Sequence, residues 1–137
     1  MAVDGSPSSK EALRWAARQA KLTGAEIEAV TAWEYPTSFG WVPPYPADFD
    51  PGAEATKVQN GMIDEVLGKS PDTPLRRTVL EGHAAPALVE ASKDAALLVV
   101  GSRGHGEFVG MLIGSVSEFC VTNAHCPVLV MRGPEDT

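Results

Sequence analysis

Leu97-Leu98-Val99-Val100 runs straight into a stretch carrying Gly101, Gly104, Gly106, Gly110 and Gly114, and then into Ser115-Val116-Ser117-Glu118. Four apolar residues in a row predict a strand buried on both faces, ended by the first glycine. A serine followed three residues later by a glutamate is a capping box, so a helix is expected from Ser115. Strand, glycine-rich loop and helix N-terminus in that order build an anion site. Glycine lets the backbone approach a phosphate, and the first amides of the helix point at it with the positive end of the dipole behind them. The same residues also suit a plain connection in front of a capped helix, and the stretch alone leaves both readings open.

The rest of the chain repeats the alternation of strand and helix. Ala2 and Val3 end a short first strand before the turn Asp4-Gly5-Ser6-Pro7. Only two residues precede Asp4 after Met1, fewer than the five or six of a typical strand, so the start looks clipped. Ser8-x-x-Glu11 forms a second capping box, predicting a helix to about Leu22 with Leu13, Ala16, Ala17 and Ala20 on one face and Gly24 at its end. Ile27 to Trp33 is apolar and β-branched, and predicts the second strand. Residues 34–52 carry five prolines interleaved with Tyr35, Phe39, Trp41, Tyr45 and Phe49, which predicts a long loop. Such a loop is a flap over a ligand, a partner-binding segment, or a segment tacked to the surface by its aromatics, and the last is favoured.

A helix is expected from Ala53 to Leu67, with Val58, Met62, Ile63 and Val66 buried. Leu75 to Leu80 predicts the third strand, whose Arg76-Arg77 pair suits a solvated edge better than a phosphate clamp. Pro86 suits the first turn of a helix ending near Lys93. Ala96 to Val100 is the fourth strand, Ser115 to Asn123 the last helix and Val128 to Arg132 the fifth strand. This alternation predicts an α/β fold, a parallel sheet covered on both faces by helices through right-handed crossovers.

The 137 residues make one domain, 1–137, by length, and 44% of them are hydrophobic. Lysine and arginine number 11 against 18 aspartate and glutamate, a formal charge of −7. That argues against general binding to nucleic acid or to anionic membrane. It leaves room for a nucleotide, because backbone amides can hold phosphates locally. No apolar run reaches the ~18 residues of a membrane span, and no secretory leader opens the chain, which points to the cytoplasm. Cys120 and Cys126 match neither a C-x-x-C motif nor a zinc pattern, and are expected to be buried free thiols.

Gly101-x2-Gly104-x9-Gly114-Ser115 resembles the ATP-binding motif of the universal stress proteins. Val99-Val100-Gly101-Ser102-Arg103-Gly104-His105-Gly106, Gly114-Ser115-Val116-Ser117, the closing Cys126-Pro127-Val128-Leu129-Val130-Met131-Arg132 and the opening Val3-Asp4-Gly5-Ser6 are similar to that family too. The resemblance runs nearly the whole length, residues 36–51 being unspecific. It implies a three-layer sandwich around a five-stranded parallel sheet of order 3-2-1-4-5, which pattern alone cannot give. In that order the chain reverses between the strands ending at Asp4 and Gly101, and ligands bind such sheets at that reversal.

The resemblance implies ATP as ligand, with Mg²⁺, or AMP or ADP, in a cytoplasmic sensor or regulator of stress. It puts Asp4 and Ala32 on the adenosine side, and Val100, Gly101, Gly104, Gly114, Ser115 and Val116 on ribose and phosphates. Ser117 and Arg103 are added here as a hydroxyl and a cation near the phosphates. For Asp4 the plain alternative is a carboxylate that only organises its turn. Arg103 and His105 suit water as well as phosphate, and His83 and His125 have no partner at metal spacing. The Walker Gly-Lys-Ser/Thr, the Gly-x-Ser-x-Gly elbow and an obvious carboxylate pair for Mg²⁺ are all missing from the sequence. A binding protein is therefore favoured over an ATP-hydrolysing or nucleotide-transferring enzyme, and over a nucleotide-free interaction module. The apolar Val128–Met131 is expected at the sheet edge, and implies a homodimer through that strand, alongside a downstream protein partner.

Overall fold

The computed structural model describes residues 1–35, 41, 43–103 and 113–134. Among them lie four helices and four strands: α1 (Pro7–Thr23), β1 (Ile27–Trp33), α2 (Pro51–Leu67), β2 (Leu75–Glu81), α3 (Ala84–Ser92), β3 (Leu98–Gly101), α4 (Ser115–Asn123) and β4 (Val128–Met131). Both strand pairs are parallel. β1 pairs with β2 from Ile27 opposite Leu75 to Trp33 opposite Glu81, and β3 with β4 from Leu98 opposite Val128 to Gly101 opposite Met131.

The expected five-stranded parallel sheet is seen only in part among the described residues. Two separate two-stranded sheets stand in its place, β1 with β2 and β3 with β4. Residues 1–3 make a single bridge, Ala2 with Val30, instead of a strand. Their backbone nevertheless touches both pairs. The Val3 amide donates to Val30 O (2.9 Å), the Val30 amide to Met1 O (2.8 Å) and the Ala2 amide to Val99 O (3.2 Å). Three residues are too few to line the whole length of β1 and β3. A groove of about 2240 Å³, counting the part open to solvent, lies beside Met1, Ile27, Glu28, Leu97, Leu98 and Val99.

Strand alternation sends side chains to two cores. Met1, Val3, Ile27, Ala29 and Val99 join α1 and α2 in one, through Leu13, Ala16, Ala20, Met62 and Ile63. Val30, Leu98 and Val100 point the other way, to Leu88 of α3 and Cys120 of α4. The buried face of α1 is the expected one. Its start is not: Ser6 is the N-cap, accepting from the Ser9 amide, with Pro7 in the first turn. Ser8 cannot cap because it already lies inside the helix. Gly24 ends α1 as expected, in the left-handed region at φ 75°.

α2 begins earlier than expected, capped by Asp50 ahead of Pro51. Its buried face is also rotated. Val58 is exposed, and Ala55 and Gln59 are buried beside Met62 and Ile63. Gln59 tolerates burial because its amide donates to Ala29 O (3.1 Å), Thr31 Oγ1 (3.0 Å) and Thr78 O (3.0 Å). It thereby ties β1 to β2.

The described part of the long loop is held by its own rings. Tyr45 stacks on Phe49 at 4.5 Å, and Tyr35 meets Trp33 edge-on at 5.6 Å. This fits aromatics that fasten the loop to the domain. Phe39 lies outside the described residues. Arg76 is exposed and paired to Glu28 (3.5 Å), as a solvated edge requires. Both cysteines are free, but only Cys120 is buried; Cys126 is half-buried, against expectation. Burial pushes the Cys120 thiol up.

The Met1 α-amine donates to Glu28 O, and burial pushes its pKa down from 8.0 to about 6. Between those values the unfolded chain holds a proton that the folded chain has released, so stability rises with pH across that window. The 137-residue chain should be about 2–3 kcal/mol less stable below pH 6 than above pH 8 on this group's account. Urea midpoints at pH 5.5 and 8.5 check the sign, and acetylating the amine should flatten the step.

Candidate functional site

The C-terminal ends of residues 1–3, β1 and β3 open on one cleft, closed on its far side by the N-terminus of α4. It encloses about 570 Å³, counting the part open to solvent, and is lined by Asp4, Thr31, Ala32, Val100, Gly101 and Arg103 together with Gly114, Val116 and Ser117. The walls are mostly apolar. Among the described lining residues Asp4 is the one anion and Arg103 the one cation.

Eight of the ten expected site residues line this cleft. Ser115 opens α4 beside them. Gly104 lies outside the described residues, as does His105. The sequence places Gly101 and Gly114 thirteen positions apart, and the fold brings them together. The Gly114 amide donates to Ser102 O, and Ser117 Oγ donates to Gly101 O.

The helix start differs from the expected capping box. Gly114 is the N-cap, no side chain caps α4, and the Glu118 amide donates to Gly114 O (2.9 Å). Ser115 is therefore the first helical residue, with its amide among those that an α-helix cannot bond internally. A helix end of this kind, facing a cleft, is suited to an anion.

Asp4 does what the plain alternative asks of it. Its Oδ1 accepts from the Ser6 amide (2.9 Å) and from Ser6 Oγ (2.6 Å), fixing the turn that Gly5 makes at φ 82°. The side chain is exposed all the same, and it lines the cleft. One carboxylate oxygen thus serves the turn, and the group still faces the space where a ligand would sit.

Gly101 also has a packing role. It is the last residue of β3, not the residue after it. A Cβ there would stand 2.9 Å from the backbone of both Ser8 and Ser9, and closer still to Ser8 Oγ. The first turn of α1 rests on this glycine.

Sequence reasoning missed the hydroxyls behind the cleft. Thr31 Oγ1 donates to Val3 O (2.7 Å), holding the two strand ends together. Ser8 Oγ donates to Arg103 O (2.6 Å), and Ser9 Oγ donates to Ala2 O (3.0 Å). The run Ser6-Pro7-Ser8-Ser9 was the available signal. Ser8 read as the cap, and its actual partner, Arg103, is 95 residues away. Among the described residues no group of three or more His, Cys, Asp or Glu could hold a metal ion. No helix among them is long and apolar enough to cross a membrane.

A family model described as the universal stress protein family matches residues 1–132. A universal stress protein of Mycobacterium tuberculosis is 36% identical over 140 residues, covering 95% of this chain and 46% of the relative. The chain thus spans about half the length of such curated relatives. Among solved structures, a universal stress protein in complex with cAMP is 25% identical, with TM-score 0.69 over 96% of this chain and 93% of that one. An Arabidopsis thaliana protein of the universal stress protein family, with AMP bound, has TM-score 0.58 at 23% identity over 96% and 81% of the two chains.

Proposed function

The chain belongs to the universal stress protein family, and from that premise we propose that it binds ATP in the cleft between Asp4 and α4 and serves as a cytoplasmic sensor or regulator of stress. The observation that carries this reading is the cleft itself: a strand end, an arginine and an uncapped helix N-terminus converge on one open pocket. Solved relatives in the same fold hold cAMP and AMP, which supports an adenine nucleotide. In this reading adenosine lies toward Asp4 and Ala32. The phosphates lie toward Val100, Gly101, Arg103, Gly114, Ser115, Val116 and Ser117, with Gly104 completing the Gly-x2-Gly-x9-Gly-Ser spacing.

Titration calorimetry with ATP, ADP, AMP and adenosine tests the reading. ATP is expected to bind most tightly, and a folded chain that takes up none of the four would overturn it. Added Mg²⁺ and ATP are expected to release phosphate only at the background rate, since the sequence offers no base and metal pair. A robust Mg²⁺-dependent release, lost in Asp4→Asn, would favour the enzyme.

The strand order 3-2-1-4-5 belongs to the same proposal, with residues 1–3 as its central member. Their hydrogen bonds to Val30 and Val99 support it. The homodimer through Val128–Met131 is part of the proposal as well. All four residues of β4 are half-buried, and β4 pairs only with β3 among the described strands. An apolar edge of that kind invites a second copy. Light scattering at micromolar concentration should give twice the chain mass, and Leu129→Lys with Val130→Lys should give monomer or aggregate. A monomeric unmodified chain would refute the dimer.

A further inference from the structure

The residue that links α1 to the cleft is Ser8. It is 1% exposed, on the first turn of the helix, and the mechanism so far gives it no task. Its hydroxyl donates to Arg103 O at 2.6 Å and stands 3.4 Å from the Arg103 amide as acceptor. One side chain therefore faces both backbone polar groups of the residue that follows β3 and Ser102. Ser6 Oγ lies 3.3 Å from the same carbonyl, but it has one proton, and Asp4 Oδ1 at 2.6 Å is the nearer acceptor. Ser8 is the dedicated donor.

The contact depends on Gly101. Without a Cβ at that position the first turn of α1 can lie against the end of β3, which brings Ser8 within reach of Arg103. Residues 101–103 are then held from two sides. Ser117 and Gly114 bond Gly101 O and Ser102 O from α4, and Ser8 bonds Arg103 from α1. Arg103 is the cation of the cleft. A buried hydroxyl that fixes its carbonyl also fixes the backbone from which its side chain springs.

We propose that Ser8 is a positioning residue for the phosphate half of the site: it orients Arg103 through the backbone without touching the ligand. This rests on the nucleotide reading above. In that reading adenosine is met by Asp4 and Ala32, and Ser8 bonds Arg103 and neither of these, so Ser8 should affect phosphates and spare the nucleoside.

The test is calorimetry of ATP and of adenosine on the unmodified chain and on Ser8→Ala. Loss of one buried, well-aligned donor should weaken ATP about tenfold and leave adenosine within about twofold. Ser92→Ala removes an equally buried hydroxyl at the far end of α3, where it bonds Val89 and His125, and should leave the ATP-to-adenosine ratio unchanged. If Ser8→Ala does not fold, Ser8→Cys decides. It keeps the volume with a weaker donor, and should show the same selective loss in smaller measure. Equal weakening of both ligands, or of neither, overturns the positioning role and leaves the nucleotide reading standing. An unmodified chain that binds neither ligand removes that reading, and this one with it.

Discussion

Gly101→Ala should cost the fold about 3 kcal/mol or more, the upper end of what overpacking does in a close-packed interior. The new methyl would lie 2.9 Å from the Ser8 carbonyl carbon and the Ser9 nitrogen. Backbone cannot swing aside as the tip of a side chain can. Either α1 lifts off β3, or the end of β3 moves away from Met131, its partner on β4. Both routes open the core around Leu13 and Val99. Urea denaturation of the two chains measures the difference. Adding Ser8→Ala should recover less than half of it, because the hydroxyl is only one of the three atoms in the way. A Gly101→Ala chain within about 0.5 kcal/mol of the unmodified one would show that α1 does not rest on this glycine as described.

Gly114→Val should weaken ATP at least about a hundredfold, close to 2.7 kcal/mol. Gly114 sits at φ −72° and ψ 163°, extended backbone that valine adopts freely. The substitution therefore tests occupancy of the cleft with little backbone strain. Gly114 lines the cleft, and a branched side chain there should keep phosphates from the first amides of α4. Circular dichroism should find the fold retained. Calorimetry that gives a folded Gly114→Val chain the same ATP affinity as the unmodified one would sink the anion site at α4.

Much of this fold is legible along the chain because it is written in local chemistry. The apolar period of α1 put Leu13, Ala16, Ala17 and Ala20 inside, and they are inside. Gly24 stops the helix because few residues other than glycine settle at φ 75°. Apolar runs at Ile27–Trp33 and Val128–Met131 became strands with the expected bounds to within a residue. The glycine spacing around Gly101 and Gly114, together with the strand order that the family resemblance implies, pointed to one crevice, and both glycines line it.

What failed were the places where a residue's partner is distant in the chain. Gln59 is polar, so helical period alone gave its place to Val58. Burial became tolerable only because Ala29, Thr31 and Thr78 supply acceptors from two strands. Ser8 and Ser115 looked like caps, since the nearest backbone donors in sequence are the only ones a sequence displays. The fold gave Ser8 the Arg103 carbonyl and left the α4 cap to Gly114.

By itself, then, the sequence determined the four helices, four of the five expected strands and which face of α1 is buried. These follow from side-chain period, backbone preference and charge, all of which act over a few residues. Only the tertiary structure decided that residues 1–3 would bridge two sheets without forming a strand, that Gly101 serves helix packing as well as lining the cleft, and that a serine of α1 would bond Arg103 at the start of the glycine motif. Each of those depends on which backbone groups meet across nearly a hundred residues of chain, and that is set by close packing of whole elements.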